Sequence, residues 1–367
     1  MSIVHTGEQQ AIASESRRVL DARTDKVRLL GLLQGIGEYD RPFWDTAVGQ
    51  GWTGLAVPEA HGGLGLGLIE LGLVAQATGA VTAGAPFLTT NHGAACALLA
   101  GDDAALQARW LPGIAAGEAV GAVAFAEGAV LPAMPRTELV DGRLFGVKTG
   151  VTAGLRADFA VVWARRDGKP ALALADIAGI SRRPIDSFDN SRLFADLVFS
   201  DTPATLLAEG DAARIMALDI LARMAVITAH EQVGGAEALL FVARDYANTR
   251  KAFGQPIGAF QSVKHRIAEL YGLVEIARAN CIHAAALADD PGGQPDFLKA
   301  AAAARLAATE AYDTAARDCV QIHGGIGVTW EAGLHLHMRR ARSLAIEQGN
   351  MLFWEDLLAA ELSGVSA

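Results

Sequence analysis

The residues of this 367-residue chain that could do the most chemistry lie in two short turns. The first is Arg250-Lys251-Ala252-Phe253-Gly254-Gln255-Pro256-Ile257, followed by Phe260-Gln261. An arginine and an aromatic ring close one helical pattern, a Gly/Pro turn follows, and a glutamine stands one turn into the next helix. That set makes a clamp for a phosphate and a flat ring. An ordinary helix–turn–helix with a surface arginine carries the same residues. The second turn is Gln321-Ile322-His323-Gly324-Gly325-Ile326-Gly327, where a long helical pattern ends. Adjacent glycines let the backbone approach a ligand, and amides exposed there bind anions. Helices also end in glycine for reasons of chain geometry alone. Just beyond, Glu331 and the His335/His337 pair invite a metal reading, but H-x-H with no third ligand nearby reads as packing or surface. No metal is expected.

The elements that must position these turns are visible in the hydrophobic period. From about residue 8 to 118 apolar residues recur every three and four positions, as in IASESRRVLDARTDKVRLLGLL, LIELGLVAQATGAV and GAACALLAGDDAALQARWLPGI. Between about 119 and 207 the alternation shortens to two, in GAVAFAEG, GRLFGVKTGV, ADFAVVWARR, KPALALADI and ADLVFSD, with breaks at Asp141-Gly142 and Asp167-Gly168. From about 210 the chain is alanine-rich and helical near 211–250, 260–288, 295–320 and 333–361, with a helix–helix connection at 290–295. The expected class is α+β, in three domains: an N-terminal helical domain (1–118), a middle β-barrel domain (119–207) and a C-terminal four-helix bundle (208–367).

Composition narrows the functional classes. With 51% hydrophobic residues the chain has ample core to bury, so disorder is excluded as its main state. A net charge of −10 disfavours general affinity for nucleic acid or anionic membrane. Three widely spaced cysteines, Cys96, Cys281 and Cys319, support neither a disulfide framework nor a zinc site, and read as small buried hydrophobes. No long uncharged apolar run and no secretory pattern at the N-terminus are visible, so the expectation is a cytoplasmic protein without a membrane span.

Together, at this spacing, the two turns resemble the C-terminal domain of the acyl-CoA dehydrogenase family. GWTGLAVPEAHGGLGL (51–66) is similar to an N-terminal loop of that family, and LPGIAAGEAVGAVAFAEG (111–128) to its passage into the β domain. The resemblance implies an FAD cofactor, with Arg250, Phe253, Gln261, Gln321, Gly324 and Gly325 gripping the pyrophosphate and adenine half of an FAD held mainly by a neighbouring subunit. It also implies departures. Where the family carries Thr-Glu-Pro-x-x-Gly-Ser-Asp against the flavin and acyl-CoA, this chain has Phe125-Ala126-Glu127-Gly128-Ala129-Val130-Leu131-Pro132, and only Glu127 is recognisable. Where the family has Trp-Ile-Thr-Asn, it has Gly150-Val151-Thr152-Ala153, so Thr152 alone remains to face a flavin.

The base departs too. Removing the α-proton of an acyl thioester while hydride leaves the β-carbon requires a carboxylate. In many members it is a glutamate 23 residues after the second glycine of the Gln-x-x-Gly-Gly turn; that count reaches Gln348, followed by Gly349. Glu347 is adjacent, and Asp219 stands one turn early for the family's alternative position in the first bundle helix. Losing the flavin-facing signature and the base while keeping the adenine grip resembles the accessory chain of heteromeric bacterial acyl-CoA dehydrogenases of steroid side-chain degradation. The implied function is α,β-dehydrogenation of an acyl-CoA, in steroid or fatty-acid metabolism, with a related chain as partner in a heterotetramer and an electron-transfer flavoprotein as acceptor. Two alternatives stand beside it: a self-sufficient homotetramer using Glu347 as base, and a flavin-free structural or interaction protein of the same fold.

Overall fold

A computed structural model describes residues 5–290 and 292–363. In chain order it has α1 (Gly7–Arg23), α2 (Lys26–Leu32), α3 (Arg41–Gly49), α4 (Leu68–Ala80), α5 (Phe87–Ala100) and α6 (Ala104–Ala115). The strands follow: β1 (Gly121–Ala124), β2 (Glu138–Val140), β3 (Arg143–Val151), β4 (Phe159–Arg166), β5 (Lys169–Asp176), β6 (Ser181–Pro184) and β7 (Ala195–Glu209). Then come α7 (Asp211–Thr249), a hairpin of β8 (Lys251–Ala252) and β9 (Gln255–Pro256), α8 (Gln261–Asp289), α9 (Gln294–His323), α10 (Leu334–Leu344) and α11 (Met351–Ser363). The expected order of helices, sheet and helices is the observed one. Pro291 of the expected 290–295 connection and the first four residues of the N-terminal segment lie outside the described residues.

The chain forms two compact units: Gly31–Leu71 with Gly84–Met224, and Met1–Leu30 with Gly72–Ala83 and Ala225–Ala367. In the first, β4, β5, β7, β3 and β2 pair in a ring that closes when β2 meets β4 at Glu138↔Arg165, while β1 and β6 flank β4 and β7. Closure removes the exposed sheet edges of those five strands. The hairpin turns sit where Asp-Gly predicts them. Asp141 and Gly142 have φ of 48° and 73°, and Asp167 and Gly168 have 49° and 76°, the left-handed pair that matches strand twist. The ring buries Leu144, Val162, Ala173, Leu197 and Phe199. β7 runs eight residues past Asp201, where the alternation pattern stops. Beyond Pro203 it leaves β3 and pairs with β5, from Ala204↔Ala175 to Glu209↔Ala171.

The second unit is a helical bundle in which alanine sets the spacing. Ala225, Ala229, Ala236, Ala243 and Ala247 of α7 and Ala301, Ala304, Ala308, Ala311 and Ala315 of α9 are all buried. Two glycines bring α4 and α7 to backbone contact: a Cβ at Gly79 would stand 1.8 Å from Glu231 O, and one at Gly234 would stand 1.8 Å from Gln76 O. No other residue fits either position without moving a helix.

One helical stretch was misplaced by the period. The segment 333–361 is two helices, α10 and α11, separated by a turn over residues 345–350. Within that turn Gln348 and Gly349 have φ of 55° and 107°, which no right-handed helix can run through. Cysteine placement also differs in part: Cys281 and Cys319 are buried, whereas Cys96 is half-buried with Sγ 3.4 Å from His92 Nε2.

Candidate functional site

The two turns singled out by residue type lie at one end of the bundle. α7 stops at Thr249, and Arg250 N donates to Tyr246 O at 2.8 Å. Lys251–Ala252 then pairs with Gln255–Pro256 around a left-handed tip, Phe253 at φ 51° and Gly254 at φ 84°. Ile257 N closes the hairpin onto Arg250 O at 2.8 Å. The Phe253 side chain is 96% exposed, with only an edge contact to Phe260 at 6.2 Å. α9 ends at His323, where Gly324 turns the chain at φ 60°. The two turns are tied by the rings of Tyr246 and His323, stacked at 4.1 Å, and by Arg266 Nη1 to Asp318 Oδ1 at 3.2 Å.

What this end offers a ligand is chemically uniform. Arg250, Gln261, Gln321, Gly324 and Gly325 are all exposed. A Cβ built at Gly324 or Gly325 meets no atom within 4 Å, whereas one at Gly327 would stand 2.6 Å from Val320 O. Gly327 is therefore glycine for packing. Gly325, without a positive φ, has no such reason within the chain, and leaves its backbone open to an external group. A guanidinium, two amides and open backbone suit a diphosphate and a purine, so these residues fit the adenosine diphosphate half of FAD.

The turn at 345–350 is fixed from two sides. Thr228 Oγ1 of α7 donates to Gln348 Oε1 at 2.9 Å, and Gln348 is 8% exposed. One turn along α7, Gln232 meets the guanidinium of Arg305. Arg305 is 1% exposed; it donates to Leu344 O, to Glu347 O at 2.9 Å and to Thr309 Oγ1 at 3.0 Å. It thus caps the carbonyl end of α10 with charge. Burial pushes Arg305 down to about 10, opposed by the carboxylate of Glu347. Glu347 is itself 4% exposed, and Arg305 holds its backbone carbonyl. Gln348 has an amide where a base would have a carboxylate, and an amide has no useful basicity.

Glu127 belongs to the β-sheet unit and is fully engaged there. It accepts from Lys148 Nζ at 2.6 Å, Arg136 N at 2.6 Å, Thr137 N at 2.9 Å and Thr137 Oγ1 at 2.7 Å. Burial raises its carboxyl, but these donors prevail and hold it below the usual carboxylate range. Trp163 Nε1 donates to Pro132 O at 2.9 Å, so the segment that departs from the family signature is fastened to its own sheet. Thr152 is buried in the turn after β3, in the same unit. Asp219, also there, accepts from Arg223 Nε at 2.8 Å.

The histidine pair is split between two partners. His335 stacks on Trp330 at 4.4 Å, while His337 Nδ1 meets Tyr312 Oη at 2.9 Å. Glu331 is exposed, and Lys26 Nζ donates to its carbonyl at 2.6 Å. Among the described residues no group of three His, Cys, Asp or Glu could hold a metal ion, and no helix is long and apolar enough to cross a membrane. Sequence reasoning missed Arg305, Thr228 and Lys148. For Arg305 one signal existed: a lone arginine inside Ala300-Ala301-Ala302-Ala303-Ala304-Arg305, with Thr309 one turn on.

Comparison with known proteins gives the family. Residues 6–118 match the acyl-CoA dehydrogenase N-terminal domain model, and residues 214–361 the acyl-CoA dehydrogenase C-terminal domain model. Acyl-CoA dehydrogenase IpdE2 of Mycobacterium tuberculosis is 33% identical over 308 residues, which are 84% of this chain and 82% of the relative. Among solved structures, the ChsE4-ChsE5 complex from Mycobacterium tuberculosis is similar at a TM-score of 0.88 and 25% identity, over 100% of both chains. A variant of the Tcur3481-Tcur3483 steroid ACAD is similar at 0.86 and 27%, over 97% of this chain and 98% of that one. The chain belongs to the acyl-CoA dehydrogenase family.

Proposed function

We propose that this chain is the accessory subunit of an FAD-dependent acyl-CoA dehydrogenase acting on a steroid-derived or fatty acyl thioester. Its partner is a related chain that brings the flavin-binding β domain and the base, and the electron acceptor is an electron-transfer flavoprotein. Bound FAD supplies the hydride acceptor for α,β-dehydrogenation. This chain's share is binding: Arg250 pairs with the diphosphate, Gln261 and Gln321 hydrogen-bond around it, Phe253 covers a flat ring, and the uncrowded backbone of Gly324 and Gly325 lets the anion approach.

The observation that carries the reading is a contrast within the bundle. The cofactor-gripping turns are exposed and open, while position 348 holds a glutamine whose carbonyl oxygen is engaged by Thr228. The relatives add support, since one is a complex of two chains and another is a steroid ACAD pair. Glu347 as base is disfavoured by its burial in a turn whose backbone Arg305 holds.

The test is flavin per chain after expression alone and with a related chain encoded nearby. Flavin retained only on co-expression supports the accessory role. A yellow protein in isolation favours a self-sufficient homotetramer, and no flavin in either preparation overturns the reading. In the co-expressed assembly Arg250→Ala is expected to weaken FAD retention roughly 10–150-fold, the value of a charge-assisted hydrogen bond of about 1.5–3 kcal/mol. Equilibrium dialysis against FAD reads the change, and unaltered retention removes Arg250 from the site. Gln348→Glu is expected to leave acyl-CoA oxidation within about threefold, or roughly 0.65 kcal/mol of barrier. A gain of two orders of magnitude in steady-state turnover would instead give this chain a competent pocket lacking only its base.

A further inference from the structure

We infer that Lys26, near the other end of the chain, is a positioning residue for the turn Gly324–Val328 and acts on it through the Thr329 hydroxyl. The inference rests on the flavin reading proposed above, although Lys26 itself touches no cofactor-gripping residue. Lys26 opens α2, whose start is fixed by Val27 N donating to Asp25 Oδ1 at 2.9 Å and whose Leu29 is buried. Its Nζ donates to Glu331 O at 2.6 Å and to Ala332 O at 2.8 Å. Two successive carbonyls held by one ammonium fix the peptide that joins them. The side chain runs against Gly333, where a Cβ would stand 2.1 Å from Lys26 Cε and where φ is 69°. Gly333 thus makes room for the lysine as well as turning the chain into α10. Among the described residues Lys26 has no carboxylate partner, so its charge is spent on these carbonyls.

From the held peptide a chain of hydrogen bonds runs back to the turn. Ala332 N donates to Thr329 Oγ1 at 3.3 Å, and the same hydroxyl donates to Ile326 O at 2.9 Å. Thr329 N donates to Ile326 O as well, at 3.0 Å. Ile326 directly follows the Gly324–Gly325 pair and is the middle residue of the turn. A hydroxyl that accepts and donates at once is polarised by both partners, so displacing one partner weakens the bond to the other. The remaining backbone bonds of the loop are local: Gly333 N to Trp330 O at 3.1 Å, and Leu336 N to Gly333 O at 3.1 Å. Lys26 is what ties the loop to an element outside the α9–α10 segment.

The experiment measures FAD binding to the deflavinated co-expressed assembly by flavin fluorescence, and amide exchange over residues 324–329 of the same assembly without flavin. Lys26→Ala is expected to weaken FAD binding about three- to tenfold, within the range that residues away from a ligand exert through a connected network, and to speed exchange across the turn. Thr329→Val, which removes the hydroxyl and keeps the shape, should do the same. Thr329→Ser, which keeps the hydroxyl, should bind as the parent does. The Lys26→Ala/Thr329→Val double variant should bind no more weakly than either single one, because both break one relay. A lowered urea midpoint in Lys26→Ala with FAD affinity unchanged means a purely structural role and overturns the inference. Additive losses in the double variant overturn it too, as does unchanged exchange over the turn. Arg250→Ala judges the flavin reading separately: unaltered FAD binding there removes that reading, whereas weakened binding there beside an unaffected Lys26→Ala removes only the positioning role.

Discussion

Arg305→Met is expected to lower the unfolding free energy by about 3–5 kcal/mol, since each buried acceptor left without its donor costs about 1–3 kcal/mol. The side chain is 1% exposed, and its guanidinium donates to Leu344 O, Glu347 O, Gln232 and Thr309. Methionine nearly matches its volume, so packing survives while those acceptors lose their donor. A loss of that size is a large part of a typical domain's total stability. Arg305→Lys should recover only a fraction, since one ammonium cannot span the separated carbonyl and side-chain acceptors of a planar fork. Urea unfolding followed by circular dichroism gives the magnitude. Amide exchange across residues 345–350 locates it, because those amides should open first when the cap on α10 is gone. A midpoint equal to the parent's would show that the acceptors find other partners and that Arg305 is not what fixes the turn.

The contrast between what the sequence discloses and what it hides follows the range of each interaction. The Arg250 and Gln321 turns were visible because their residue types and spacing are local, and the structure places both at one end of the bundle, joined by Tyr246 and His323. The β-sheet ring was visible through period-two alternation and two Asp-Gly turns, both of which depend on neighbours in the chain. The Arg305 cluster was not, because Gln232 and Arg305 are 73 positions apart and Thr228 and Gln348 are 120 apart. Alanine-rich helices carry little information about which face meets which. The 333–361 stretch shows a related failure. Apolar residues keep a helical period across the break, so periodicity alone runs through it, while Gln348-Gly349 carries the left-handed geometry inside the turn between α10 and α11. β7 is the converse: Asp201 and Pro203 look like an ending, yet the strand continues by exchanging β3 for β5.

Mild acid is expected to destabilise this protein more than any single substitution. Burial pushes four histidines below their ordinary value of 6.5: His92 and His337 to about 3, His230 to about 4, and His335 in the same direction. Arg223 adds to the effect at His92, Arg340 at His337, and His5 and Arg278 at His230. A folded-state value below the unfolded one means that, between the two, the unfolded chain binds more protons, so stability rises with pH across that window. The contribution is therefore complete above 6.5 and is lost progressively as pH falls toward 4. Each histidine costs about 1.4 kcal/mol per pH unit there, so three of them remove about 6 kcal/mol between pH 6.5 and 5. Glu127 does not add to this, because a carboxylate held below its ordinary range keeps its contribution until pH falls beneath that range. His92 belongs to the β-sheet unit and His230 and His337 to the bundle, so neither unit is spared. Urea midpoints at pH 7.5 and 5.5 test the effect, and His337→Gln should flatten the slope by about one proton's worth. Equal midpoints at the two pH values would mean that these imidazoles are protonated in the folded state, in conflict with their burial.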